Sequence, residues 1–152
     1  MSYQCAGFFA LADEVVMQDA KRTWPGCRAR LVTAPFHGIG VAVPERALTY
    51  GEPEEAYEWA IAMWNNIETT LPDWSRHYPD VSFVFPRTDC FGGNCLYEGY
   101  TCRDGVIIER MGGESVARGG DALRRLIRYL GVELGAPPYF EPLVRGYFDA
   151  AE

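Results

Sequence analysis

The residues best suited to chemistry are cysteines, three of which lie close together as Cys90-x4-Cys95-x6-Cys102. Three thiolates and one of the two histidines, His37 or His77, would fill a tetrahedral zinc shell. Alternatively, Cys90 ahead of Gly92-Gly93 would place a nucleophile beside backbone N–H donors, with a histidine as its base. Neither chemistry has a local signature here. The spacing departs from the usual C-x2-4-C knuckle, Cys102 falls two residues from a hairpin turn, and no motif ties either histidine to Cys90. Free cysteines most often end as small buried residues, so Cys102 is expected within a sheet and Cys90 and Cys95 as loop or core thiols. No metal, cofactor or catalytic residue is expected.

Glycine pairs raise the question of a phosphate cradle. Gly119-Gly120, with Arg118 beside it, precedes a helical pattern and would suit an anion, but Asp121 would repel one and no nucleotide fingerprint is present. The carboxylates Asp89, Glu98, Glu109 and Glu114 are close in sequence, yet no spacing selects a hydrolase pair or a hard-cation site among them. What remains is a mixture of acids and aromatic rings. Asp89, Tyr97, Glu98, Tyr100, Asp104 and Glu109 surround the central hairpin, and Trp74, Tyr78 and Asp80 fill the connection before it. Tyrosine and tryptophan anchor protein interfaces, and carboxylates steer basic partners. The sheet's own core competes for the same rings.

Composition narrows the setting. The 152 residues fit one domain, 1–152, and 48% hydrophobic, 14% aromatic and 23% charged residues make it globular. A net charge of −7 argues against nucleic acid, whose phosphates are bound by lysine and arginine, and favours a basic partner. The first residues, MSYQCAGFFALADE, lack a basic lead and are broken by Asp13 and Glu14, so a signal peptide is not expected, nor is a membrane span. Five scattered cysteines do not form a secreted disulfide framework, and reduced thiols in a cytoplasm are the expectation.

The elements that must position these residues follow from periodicity. Tyr3–Ala10 reads as a strand, and Asp13 caps a short helix to about Arg22. Cys27–Thr33 alternates as a strand with one wet face, and Gly38–Val43 follows as a third strand. Ala56, Trp59, Ala60, Met63 and Ile67 predict a helix over Pro53–Leu71, ended by Pro72 and apolar enough on a second stripe to be covered on two sides. Val81–Phe85 is a strand stopped by Pro86, and 87–94 is expected as a loop. Asp104-Gly105 predicts a two-residue hairpin turn between Leu96–Cys102 and Val106–Met111, with Glu109 on the face of Tyr100 and Cys102. A flexible crossing over 112–120 leads to a helix capped by Asp121 and ended by Gly131, and Pro142 opens a last helix.

The expected architecture is α+β: a single antiparallel or mixed sheet of about five to six strands, with helices mainly on one face. The expected function is a small acidic protein-binding module, most concretely a bacterial immunity or inhibitor protein that blocks a basic toxin or nuclease-like partner. The alternatives are a small cysteine-dependent or zinc-binding enzyme domain, and a homodimeric assembly subunit built on the long helix.

Overall fold

The computed structural model describes residues 2–43, 54–91, 94–111, 120–135, 138–144 and 146–148. The elements are β1 (Ser2–Ala10), α1 (Glu14–Thr23), β2 (Arg28–Val32), β3 (Gly38–Ala42), α2 (Glu54–Trp74), β4 (Phe83–Phe91), β5 (Asn94–Arg103), β6 (Val106–Met111) and α3 (Gly120–Ile127). The strands form one sheet in the order β2-β3-β1-β4-β5-β6, antiparallel throughout. This is the expected α+β fold. The expected crossing over 112–119 and the start of the long helix at Pro53 lie outside the described residues.

Alternation along β1 sorts the two cores. Ala6, Phe8 and Ala10 point to one face, where α1 and α2 bury Val16, Met17, Ala60, Trp64 and Ile67 against them. Cys5 and Phe9 point to the other, under Leu123, Leu126 and Ile127 of α3 and the C-terminal Phe140 and Phe148. Both faces are therefore covered over most of the sheet, and the side of β2 that carries Arg28, Arg30 and Val32 is not wet as expected, whereas Leu31 is 48% exposed. Ala29 is buried on the first side and Val32 on the second, while Arg28 and Arg30 donate to the carbonyls of Phe148 (3.3 Å) and Tyr147 (2.8 Å).

Local signals set several boundaries as expected. The Asp13 carboxylate accepts from the N–H groups of Val15 (3.1 Å) and Val16 (3.3 Å), capping α1. Asp104 and Gly105 both take positive φ, 50° and 81°, as the tight hairpin turn requires. Gly131 closes the short 3-10 extension of α3 in the left-handed conformation. Asp121, however, sits inside the first turn of α3 and pairs with Arg124 rather than capping the helix.

Four expectations are corrected. First, Pro72 does not end α2, which runs on to Trp74. A proline cannot donate to the carbonyl four residues back, here that of Glu68, and the Tyr100 hydroxyl donates to that same oxygen at 2.6 Å. A partner from β5 thus replaces the bond that the helix cannot make. Second, the loop expected over 87–94 is mostly strand, because β4 continues through Pro86 to Phe91 and pairs Cys90 with Cys95 of β5. Pairing with β1 lapses only between Ala6↔Arg87 and Phe9↔Val84, the stretch that contains Pro86 and its missing N–H. Third, Cys102 faces Ile107 but Thr101 faces Glu109, so Ile108 is an extra bulged residue. The bulge turns Glu109 onto the α3 face, away from Tyr100. Fourth, the final helix expected from Pro142 is a single 3-10 turn, Glu141–Leu143, ended by extended backbone at Val144.

Candidate functional site

The nine residues expected to contact a partner fall into three groups. Trp74 and Tyr100 are core residues, 7% and 1% exposed, and cannot meet a partner in the folded chain. Trp74 packs among Phe8, Trp24, Tyr78 and Phe83 with ring centroids 5.0–6.0 Å away. Tyr100 stacks on Phe85 at 5.3 Å. Burial holds its hydroxyl well above the ordinary tyrosine range, so it remains a donor to Glu68. Aromatic side chains contribute most when buried, and the sheet claimed both.

A second group is engaged within the fold. Tyr78 is half-buried and donates to Asp19 at 2.7 Å; burial and then that carboxylate push its hydroxyl up to about 12. Glu98 pairs with Arg87 at 3.5 Å, and Arg87 also reaches Glu68 at 3.1 Å while lying over the Trp64 ring. Glu109 accepts from Arg125 at 2.6 Å and from the Tyr129 hydroxyl at 2.9 Å. Tyr97 is half-buried and forms part of a cavity wall under α3. The third group, Asp80, Asp89 and Asp104, is exposed.

These positions do not form one patch. Asp104 and Asp80 belong to the end of the sheet where Arg103 donates to the Pro79 carbonyl at 3.2 Å and the Gly105 N–H reaches the buried Ser75 hydroxyl at 2.9 Å. Asp89 lies opposite Leu96 near the other end of β5, roughly 25 Å away at the rise of an extended strand. What the first end offers instead is apolar: Val106 and Ile108 on β6 are 58% and 45% exposed, directly after the Asp104 turn. Among the described residues β6 ends the sheet, so its outer N–H and C=O groups have no strand partner there. Only the bulge, invisible in the sequence, leaves Ile108 outside the regular alternation.

The structure also places the cysteines and histidines considered for chemistry. Cys90 and Cys95 are joined by a disulfide across the β4–β5 pair, so neither is the free thiol expected. Cys102 and Cys27 are free, and burial pushes both thiols up to about 11, away from ready thiolates. His77 lies edge-on to Trp74 and His37 precedes β3, whose Gly38 abuts the Ala10 carbonyl. Ala10 pairs with Phe83, at the end of β4 opposite Cys90, roughly 20 Å along the strand. Among the described residues, no three His, Cys, Asp or Glu side chains gather as a metal site. Arg118, Gly119 and Glu114 lie outside the described residues.

The bridge itself forms one wall of a cavity of about 220 Å³ between the β4–β5 hairpin and the C-terminal segment. Thr88 (2% exposed), Tyr97, Leu123 and Phe140 complete much of it, and no described residue lining it is charged. The sequence hid this site because 87–94 reads as a loop, in which Cys90 and Cys95 have no fixed relation. Among the described residues no helix is long and apolar enough to cross a membrane. Comparison with family models, with curated proteins and with solved structures yields no match for this chain.

Proposed function

We propose that this chain is a stoichiometric protein-binding module for a basic partner, in its most concrete form a bacterial cytoplasmic immunity or inhibitor protein that blocks a toxin or nuclease-like enzyme. The observation that carries the reading is the β5–β6 turn with the edge that follows it. There the exposed carboxylate of Asp104 precedes Val106 and Ile108, two apolar side chains standing in water on the last strand of the sheet. Such an edge accepts an extended segment through its backbone, and its apolar side chains give the contact a dry centre. The excess of acids, −7 over the whole chain, speeds the approach of a cationic surface and disfavours phosphate backbones as ligands. A blocker of this kind needs no chemistry of its own.

The test is affinity capture from the native host with wild-type protein and with a variant carrying Asp104→Lys and Ile108→Asp. A basic protein retained by the wild type in equal amount, released by salt and lost by the variant, is the expected result. Capture indifferent to both substitutions would exclude this edge.

One observation favours the homodimer as a second reading: Trp59 of α2 is 42% exposed, although Ala60, Trp64 and Ile67 on the same helix are buried. Sedimentation over a range of concentrations separates the two, because an assembly subunit associates with itself and a blocker remains monomeric until its partner is added. In the oxidised chain the Cys90–Cys95 bridge leaves neither cysteine as the free thiol that the enzyme alternative requires.

A further inference from the structure

Three features of the cavity beneath α3 belong together: a disulfide in its wall, a buried hydroxyl on one of the two sulfurs, and a lining without charge. The Thr88 hydroxyl lies 3.5 Å from the Cys90 sulfur. A bridged sulfur carries no proton, so Thr88 must be the donor. Tyr97 also shares a side-chain hydrogen bond with Thr88, and burial pushes its hydroxyl above the ordinary tyrosine range. Among the described residues no hydroxyl is bonded to the Cys95 sulfur, so the two sulfurs of the bridge are electrostatically unequal.

We propose that Cys90–Cys95 is a thiol–disulfide exchange site for small uncharged thiols, in which Cys95 is the sulfur attacked and Cys90 the sulfur that leaves. An incoming thiolate forms a new S–S bond with Cys95; the old bond breaks, its electron pair goes to Cys90, and the Thr88 hydroxyl stabilises the thiolate formed there. A second thiol molecule attacks the mixed disulfide at the small-molecule sulfur, releasing Cys95 as a thiolate and the oxidised small disulfide. Both cysteine thiolates then take protons given up by the two thiols. The protein disulfide gains two electrons and two thiols lose them.

Direction follows from the leaving group, because exchange is faster when the departing thiolate is the better stabilised. A hydrogen bond to the charged form does this. Preference for an uncharged thiol follows from the lining: Tyr97, Leu123 and Phe140 offer contact area but no partner for a carboxylate, and an unpaired charge beside them loses hydration without compensation. Cys90 and Cys95 are both half-exposed, so attack needs no unfolding. The inference is independent of the proposed partner, since the site lies at the opposite end of β5 from Asp104.

The experiment treats the oxidised full chain with 2-mercaptoethanol and, separately, with mercaptoacetate, quenches with an alkylating agent, and locates the mixed disulfide by peptide mass mapping. The expected first adduct is on Cys95 with Cys90 alkylated, formed faster by 2-mercaptoethanol after correction for the two thiols' own reactivities. Thr88→Val should slow the reaction by about three- to tenfold, the effect of losing one hydrogen bond to the departing sulfur, and Thr88→Ser should retain most of the rate. An adduct on Cys90 or shared equally overturns the assignment, as does a bridge that the native protein keeps under excess thiol. The mapping on the wild type decides the direction even if Thr88→Val fails to fold.

Discussion

At the scale of single residues, the account turns on what a buried polar atom requires. Pro72 leaves the Glu68 carbonyl without its helical donor, and Tyr100 supplies one from the sheet at 2.6 Å. Tyr100→Phe keeps the ring on Phe85 and removes only this donor. We expect a loss of about 1–3 kcal/mol in urea unfolding, the cost of an unsatisfied buried carbonyl, and a smaller loss in Tyr100→Phe combined with Pro72→Ala, where the helix recovers its own N–H. Tyr78 gives a pH-dependent counterpart. Its hydroxyl is raised from about 10 to about 12, so the folded state holds the proton more tightly than the unfolded chain. That contribution is complete below about pH 10 and disappears as pH rises through about 12. Thermal unfolding across that window should show a steeper decline for wild type than for Tyr78→Phe. The sequence exposed part of this scale: Asp13 as a cap and Asp104-Gly105 as a turn act on their immediate neighbours. Tyr100 and Trp74 read as contact residues in the sequence because part of what buries them is distant along the chain: Tyr100 donates to Glu68 and Trp74 packs on Trp24.

At the scale of elements, strands and helices were legible where periodicity was uninterrupted, as in β1, α1 and the core of α3. They were not where proline or a bulge intervened. Pro86 reads as a stop, yet β4 passes through it because β1 forgoes pairing at that point and β5 holds the other side. With β4 extended, Cys90 and Cys95 become direct cross-strand neighbours, and a bridge closes the hairpin. Replacing both by serine should destabilise the chain by about 2 kcal/mol in the chain-entropy model for so short a loop, measured by denaturant unfolding of oxidised protein. A change near zero would mean that strand pairing alone already constrains the hairpin. The bulge at Ile108 has the opposite visibility: nothing in VIIERM announces it, yet it sends Glu109 to Arg125 and Tyr129 and leaves Ile108 exposed.

At the scale of the whole molecule, one sheet lies between two covers, α1 and α2 on one face and α3 with the C-terminal segment on the other. Both faces are thereby occupied with core packing, which leaves the ends and edges of the sheet for recognition. β2 is held to the C-terminal segment by Arg28 and Arg30, whereas β6 presents Val106 and Ile108 to solvent. Under the proposed function the acid excess read from composition serves as a long-range field rather than as the local acidic patch expected, because Glu98 and Glu109 are tied to Arg87 and Arg125. Association with a basic partner should therefore slow as salt screens that field, with a much weaker effect of salt on dissociation.

The measurement that tests recognition at the β6 edge most directly is calorimetric titration of the captured partner into wild-type protein and into the Asp104→Lys, Ile108→Asp variant at low and high salt. The account predicts one-to-one binding by the wild type, weaker at high salt, and an affinity reduced at least about tenfold in a variant that remains folded. Equal affinities for the two proteins at both salt concentrations would contradict it.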